Sequence, residues 1–118
     1  MATDSKPAIS VWTVETLDHR VDREIAALAE DLRARFIRIA DLLRTHGPHR
    51  VREPYVKPLA GKLWEMRMSG RDGIARAIYL AATGRRLVVV HVFEKKSEKT
   101  PKAAIEIATD RAKKAGLI

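Results

Sequence analysis

Apolar residues recur every three or four positions from residue 18 to about residue 44, which is the period of an amphipathic helix. Ile37 and Leu42 widen the apolar stripe in its second half. The pattern therefore fits either one long helix or a helical hairpin with a break near residues 29–31. The His-Gly-Pro sequence at 46–48 ends the helical segment. The stripe itself consists of Val21, Ile25, Leu28, Leu32, Phe36, Ile39 and Leu43.

Short apolar runs replace the helical period in the middle of the chain. Three of them are separated by glycine-containing turns and predict an antiparallel three-stranded meander. The last run is apolar on both faces, as expected of an interior strand. The basic segment before them, HRVREPYVKPLAG, is predicted to be a loop, whereas ISVWTV near the N-terminus predicts a further strand. The four predicted strands are residues 9–14, 63–68, 74–80 and 87–93.

A last helix follows the meander. Thr100 is its predicted N-cap, Pro101 its first residue and Gly116 its end. The predicted fold is α+β: an N-terminal strand, a long helix or helical hairpin, an antiparallel three-stranded meander that completes a twisted sheet, and a C-terminal helix. Residues 9–118 form a single domain in this interpretation, after a flexible segment at 1–8. The buried side of the last helix is predicted to consist of Ile105, Ala108, Ala112 and Ala115.

Composition excludes several classes of protein. With 118 residues, 46% of them hydrophobic and 32% charged, the chain is long enough for one modest core. Cysteine is absent, which excludes disulfides and thiolate metal sites. No apolar run reaches the roughly 20 residues of a membrane helix, and the first residues lack the apolar centre of a signal peptide. We therefore expect a cytoplasmic protein with no membrane partner and, since His46 and His49 have no clustered ligands around them, no metal.

Positive charge is concentrated in the middle of the chain. The net charge is +8, and residues 47–100 carry 12 Lys and Arg against 5 Asp and Glu, a local excess of +7. An excess within the predicted meander is typical of a phosphate-binding surface. Charge alone also favours solubility, so the positions of the charged residues on the strands have to decide between the two interpretations.

Strand alternation places several candidate residues on common faces, because residues two apart in a strand point the same way. Lys95 extends the face of the third strand that carries His91 and Phe93. Arg67 and Arg76 join this face if the register between the strands allows it. Such a face offers guanidinium groups for a phosphate and an aromatic ring for a base. In the third strand, Leu87, Val89, His91 and Phe93 are expected to share this face, while Val88, Val90 and Val92 form the opposite one and pack on the long helix.

Each candidate also has a simpler interpretation. Arg67 and Glu65 fit ordinary cross-strand ion pairs, His91 fits a structural histidine, and the lysines at 95–99 fit a solvated surface. Arg76 is harder to explain in this way, since burying an unpaired arginine is costly. It is expected either to have a carboxylate partner or to face a site.

The motifs KPLAGKLWEMRMSG, IARAIY and HVFEKKSEKTP, followed by a helix, resemble the RelE/ParE toxin superfamily, and most closely its HigB-like, phage-derived branch. The resemblance covers about residues 9–115. It implies a toxin of a type II toxin–antitoxin system that is neutralised by a separately encoded helix-turn-helix antitoxin similar to HigA. Toxins similar to HigB are ribosome-dependent mRNA endonucleases, so the implied partners are the ribosome and mRNA.

The resemblance also implies the site residues. Its basic and aromatic positions divide into a catalytic set and a substrate-binding set, with no cofactor and no metal. The catalytic set is Arg67, Arg76, His91, Lys95, Lys96 and Lys99. The substrate-binding set is Lys57 and Phe93, and two further basic residues of the same region, Lys62 and Arg71, are assigned to it as well.

The chemistry of such a site follows from RNA itself, which carries its own nucleophile, the 2′-hydroxyl. Cleavage then needs that oxygen aligned with the phosphorus, and no metal. Arg67 and Arg76 are expected to stabilise negative charge on the phosphorus oxygens, while Phe93 holds a splayed base. Either His91 or one of the lysines at 95–99, whose pKa neighbouring cations lower, is expected to exchange the proton. The products are a 2′,3′-cyclic phosphate and a 5′-hydroxyl.

Two other functions remain open at this point. A toxin similar to ParE shares the fold but inhibits DNA gyrase through protein contacts, without catalysis. A basic RNA-binding domain without activity would bind with a steep salt dependence and cleave nothing.

Overall fold

The computed structural model describes residues 12–96 and 99–118, and within these residues the chain forms five strands and three helices. The predicted flexible segment at 1–8 and the first three residues of the predicted strand 9–14 lie outside the described residues. The strands are β1 (Thr13–Thr16), β2 (Val56–Ala60), β3 (Leu63–Ser69), β4 (Ile74–Ala82) and β5 (Arg86–Lys95). The helices are α1 (His19–Ala26), α2 (Glu30–His46) and α3 (Lys102–Lys114).

The two N-terminal helices form a hairpin. Asp18 caps α1, and its carboxylate accepts a hydrogen bond from the Arg20 N–H at 2.9 Å. The break between the helices spans residues 27–29, beside the predicted position. α2 ends at Gly47, whose φ of 82° favours glycine. Of the two predicted alternatives, the hairpin is therefore the one present.

The five strands form a mixed sheet in the order β1-β5-β4-β3-β2. β1 runs parallel to β5, and the other neighbours are antiparallel. The structure confirms the α+β class and the meander. It also confirms the interior position of the last strand of the meander, β5. The prediction of a loop over residues 49–61 is wrong for β2, which pairs with β3. Pro58 obscured this strand in the sequence, but β2 lies at the edge of the sheet, where a missing N–H is tolerated.

Helices cover the sheet on both faces, so two apolar cores are present. The hairpin packs on one face around Leu32, Phe36, Met66, Met68, Ala77, Tyr79 and Val89. On the other face, α3 packs through Ala104, Ala108 and Ala112 against Ile78, Leu80, Val88 and Val90. The small side chains of α3 allow a close approach to the sheet. None of the helices among the described residues has the length and hydropathy needed to cross a membrane.

A β-bulge in β5 changes the face on which its residues lie. Ile78 pairs with His91 but Tyr79 pairs with Val89, which leaves Val90 as an extra residue. Val88 and Val90 consequently pack on the α3 side, while Val89 and Val92 belong to the hairpin core. The predictions of a single valine face on the long helix, and of Leu87 and Val89 sharing a face with His91 and Phe93, are therefore wrong.

The start of α3 also differs from the prediction. Pro101 is the N-cap, and the Thr100 hydroxyl does not cap the helix but donates a hydrogen bond to Glu65. Gly116, with a φ of 75°, follows the last turn as predicted. On the helix itself, Ala108 and Ala112 are buried as predicted, whereas Ala104 is buried, Ile105 half-buried and Ala115 exposed.

Candidate functional site

Three neighbouring strands bring two arginines and a phenylalanine side by side. Arg67 of β3 pairs with Arg76 of β4, which in turn pairs with Phe93 of β5. Residues directly opposite one another in antiparallel strands have Cβ atoms about 5 Å apart and point to the same face. That face is the α3 side, because Ala75 and Ala77, which flank Arg76, point into the hairpin core.

The carboxylate of Glu65 contacts both arginines. Its side chain is only 2% exposed. Arg67 Nη1 donates to Glu65 Oε2 at 2.6 Å, and Arg76 Nε lies 3.6 Å from the same oxygen. The Thr100 hydroxyl donates to the other carboxylate oxygen. One buried carboxylate therefore joins β3, β4 and the residue that precedes α3.

The two arginines differ in their access to solvent. Arg76 is 1% exposed, and its Nη1 donates to the Ala75 carbonyl oxygen at 3.0 Å. The Arg67 side chain is 23% exposed. Arg76 thus has the carboxylate partner that was one of its two predicted explanations, and it is buried beside Arg67. Only Arg67 of the pair reaches the surface.

Three lysines continue the positive charge from the sheet toward α3. Lys95 pairs with Ile74, one row beyond Arg76, and is buried. Lys96 directly follows β5, and Lys99 lies two residues before Pro101; both are exposed. Lys95 is therefore adjacent to the arginine pair, on the face that the strand alternation indicated, and Lys96 and Lys99 lie in the connection to α3.

The substrate-binding candidates are divided between two places. Lys57 is exposed and pairs with Glu65, so it lies at the β2 side of the arginine pair. Arg71 is exposed in the turn between β3 and β4, and its N–H donates to the Asp31 carboxylate at 2.6 Å. Lys62 lies at the opposite end of β3, about 15 Å along the strand from Arg67. The fold thus groups Lys57 and Phe93 with the arginine pair, whereas Lys62 lies away from it and Arg71 contacts α2.

His91 belongs to a partly buried cluster with Glu24 of α1 and Arg111 of α3. Its Nδ1 lies 3.2 Å from both Glu24 carboxylate oxygens. Arg111 forms a two-pronged ion pair with Glu24, at 3.1 and 2.9 Å. Sequence analysis missed Glu24 and Arg111, because they lie 87 positions apart and nothing local marks them.

The same cluster completes the edge of β5 beyond the end of β1. The Val92 N–H donates to Glu24 at 2.9 Å, and the Val90 carbonyl accepts from Arg111 at 2.9 Å. These are the groups to which a longer β1 would bond. The bulge at Val90 and this edge together fix the direction in which His91 points.

The environment of the cluster sets the protonation of His91. Burial lowers the pKa of His91 below its usual value, although Glu24 acts in the opposite direction. Burial would raise the pKa of Glu24, but hydrogen bonds from Arg111, Val92 and His91 together hold it below its ordinary value. An ionised carboxylate only accepts hydrogen bonds, so Nδ1 of the neutral imidazole carries the proton and Nε2 carries the lone pair.

Phe93 packs against the imidazole of His91. Their ring centroids are 5.0 Å apart with an angle of 26° between the planes. Phe93 is half-buried beside Arg76, so one side of its ring is held by His91. Within the described ranges, no group of three or more His, Asp or Glu side chains is arranged to hold a metal ion.

A protein-family model matches residues 23–113, which span most of the chain and contain the arginine pair, the lysines and the histidine cluster. It describes the "Phage derived protein Gp49-like" family. The chain belongs to the Gp49-like family. This is a toxin family of the RelE and HigB type, so the resemblance drawn from the strand motifs is confirmed.

The fold of this Gp49-like protein is also found in a solved structure. An archaeal RelE–RelB complex from Pyrococcus horikoshii OT3 contains a chain of similar fold, with a TM-score of 0.51 and 20% sequence identity. The match covers 76% of the Gp49-like chain and 99% of the archaeal one. At this identity the likeness shows the fold, which is that of RelE. No curated protein sequence matches significantly.

Proposed function

We propose that this Gp49-like protein is a ribosome-dependent mRNA endonuclease, the toxin of a type II toxin–antitoxin system in the cytoplasm. The observation that carries the proposal is the row formed by Arg67, Arg76 and Phe93, with lysines on the adjoining row and loop. Guanidinium and ammonium groups beside an aromatic ring match the phosphate and the splayed base of single-stranded RNA. Membership of a toxin family favours the same activity.

Cleavage proceeds through the 2′-hydroxyl of the RNA in this proposal. The 2′-oxygen attacks the adjacent phosphorus, the bond from phosphorus to the 5′-oxygen breaks, and the products are a 2′,3′-cyclic phosphate and a 5′-hydroxyl. His91 Nε2 takes the 2′-hydroxyl proton, because the imidazole stays neutral and Glu24 holds its other nitrogen. A lysine ammonium at 95–99 donates the proton to the leaving 5′-oxygen.

The remaining residues stabilise charge and position the substrate. Arg67, at the surface, contacts the phosphate oxygens as negative charge grows on them. Arg76 does not contact the RNA in this proposal. It pairs with Glu65, which in turn positions Arg67. Lys57 and Arg71 attract the RNA backbone from two sides.

Low sequence specificity is expected of such a site. The ribosome selects the position of cleavage instead, because it presents the message. The small basic surface binds phosphates, which carry no sequence information. A message held in the ribosomal A site presents its nucleotides one codon at a time. The antitoxin partner, a helix-turn-helix protein similar to HigA, is proposed on the same family basis, as the archaeal RelE is found in complex with RelB.

The proposal is tested by adding the purified protein to a translation reaction with defined components and mapping the ends of the message. We expect cuts with cyclic phosphate and 5′-hydroxyl termini, only when ribosomes are present. A message with a 2′-deoxynucleotide at the cut position should stay intact there, because the nucleophile is missing. Intact messages together with inhibition of DNA gyrase would instead identify an inhibitor similar to ParE.

A further inference from the structure

A second site lies on the opposite face of the sheet from the arginine pair. It is a partly open cleft of about 880 Å³ between the strands and the segment that follows α2. Trp64 of β3 and Tyr79 of β4 are register partners, so their side chains share the hairpin side of the sheet. The sheet therefore separates the cleft from Arg67 and Arg76. The main apolar walls are Trp12, Val51, Val56, Trp64, Tyr79 and Leu87.

The walls of the cleft are aromatic and only partly covered. Trp64 is 38% exposed, although an indole on the helix-covered face of a sheet normally contributes to a core. Tyr79 lies deeper, and burial raises the pKa of its hydroxyl. An exposed apolar concavity bounded by polar residues is typical of a site for apolar groups of another molecule.

The rim of the cleft has a small excess of positive charge. Arg52 and Lys62 line it together with a single acidic residue, Glu53, and with His49, and all four are exposed. A partner that fits must therefore offer large apolar side chains to the walls and carboxylates to the rim. We propose that the cleft binds an acidic segment of another protein, which inserts aromatic or aliphatic side chains beside Trp64.

The dimensions and lining of the cleft favour a protein segment over a nucleotide. Its volume lies near the upper end for ligand pockets, and an amphipathic helix fills such a groove with several side chains. Nucleotide recognition needs polar groups that face the base edges. Here the polar side chains lie at the rim, whereas the walls are mostly apolar. The cleft is also distant from the arginines, so its occupation does not require the proposed cleavage activity.

Tryptophan fluorescence reports directly on this cleft. The chain contains two tryptophans, Trp12 and Trp64, and both line it. The probe is a short amphipathic helical peptide with Leu and Phe on one face and Glu on the other. We expect saturable changes in tryptophan emission of the full chain with this peptide. A control peptide with Lys in place of Glu should bind at least about tenfold more weakly, since the rim repels it.

Two variants distinguish insertion into the cleft from general attraction to a basic protein. Trp64→Ala should lower the peptide affinity at least about tenfold, as is common for a buried aromatic anchor. Lys62→Glu should also weaken binding and, being at an exposed position, should leave the fold intact. The control Lys96→Glu makes the same charge change at an exposed residue outside the cleft and should leave peptide affinity unchanged.

Several results would overturn the proposal. One is an absence of saturable emission change with the acidic peptide; another is equal weakening by Lys62→Glu and Lys96→Glu. Competition for the cleft by a short single-stranded RNA would identify a nucleic acid as the occupant instead. A change in emission with protein concentration alone would identify a second copy of the chain. None of these measurements depends on cleavage, so they succeed or fail independently of the proposed nuclease.

Discussion

At the scale of single residues, the most consequential contact is that between Glu65 and its three partners. Without this carboxylate, Arg67 and Arg76 would lie side by side and lose the negative charge that they share. Thr100 would also lose its link to β3. A buried charge that loses its partner is strongly destabilising, whereas an exposed ion pair contributes little. Glu65 is thus expected to be essential for the fold as well as for the geometry of the site.

Replacing Glu65 by Gln tests this. We expect the free energy of unfolding in urea to fall by about 3 kcal/mol, because the amide keeps the shape but not the charge. Glu15→Gln is a matched control, since Glu15 pairs with Arg86 at 3.1 Å on the surface. That variant should lose less than about 1 kcal/mol. Equal losses in the two variants would contradict the structural role of Glu65.

The protonation of His91 predicts a dependence of stability on pH. Its pKa is lowered in the folded protein, so the unfolded chain takes up the proton first as the pH falls. Stability should therefore decrease below about pH 6.5 and level off below the folded pKa. Glu24, whose pKa is also lowered, adds a loss of stability only near pH 4.5 and below.

Unfolding in urea between pH 7.5 and 5 measures this effect in the native chain and in His91→Gln. The free energy of unfolding is plotted against pH for each protein. The difference between the two slopes is due to His91, because the exposed His19, His46 and His49 are present in both proteins. We expect a shallower slope for the variant. Identical slopes would mean that His91 is not held neutral by its surroundings.

At the scale of elements, the turn between β3 and β4 is fixed to the start of α2. Asp31 accepts the Arg71 N–H, and this hydrogen bond lowers the pKa of Asp31. A Cβ added to Gly70 would clash with the Asp31 carboxylate and lie 3.0 Å from a methyl carbon of Leu32. The absence of a side chain at residue 70 therefore allows the turn to contact the helix.

Gly70→Ala should displace the Asp31 carboxylate and break its hydrogen bond. We expect a loss of about 1–2 kcal/mol in the free energy of unfolding. Gly73→Ala in the same turn is the matched control, because its Cβ would come no closer than 3.8 Å to another residue. The control should change stability by less than about 0.5 kcal/mol. A larger loss from Gly73→Ala than from Gly70→Ala would contradict the docking of this turn.

The sequence predicted the elements better than the details of their pairing. Helical periodicity and glycine-containing turns were sufficient for the N-terminal helical segment and the meander, because both are local signals. They left one long helix and a helical hairpin equally open. The bulge at Val90 is not local: it depends on how β5 meets β4 and on the edge bonds from Glu24 and Arg111. Strand alternation alone could therefore place Arg76 and Phe93 on one face of the sheet. It could not predict that Val89 lies on the opposite face, because that depends on the bulge.

At the scale of the whole molecule, the sheet separates two surfaces of different chemistry. One carries the arginine pair and the lysines, and the other carries the aromatic cleft. Lys62 shows the limit of prediction from motifs, because it follows the same basic stretch as Lys57 yet lies at the cleft. Removal of a lysine charge should therefore reduce RNA cleavage on the arginine side of the sheet and not at the cleft.

The most direct test of the proposed site compares Lys95→Ala with Lys62→Ala in the ribosome-dependent cleavage reaction. The two variants lose the same side chain on opposite faces, and urea unfolding checks that both are folded. We expect cleavage to fall about 100-fold in Lys95→Ala, to recover partly in Lys95→Arg, and to stay unchanged in Lys62→Ala. Full cleavage by folded Lys95→Ala, or an equal loss in Lys62→Ala, would contradict a catalytic site built on the α3 side of the sheet.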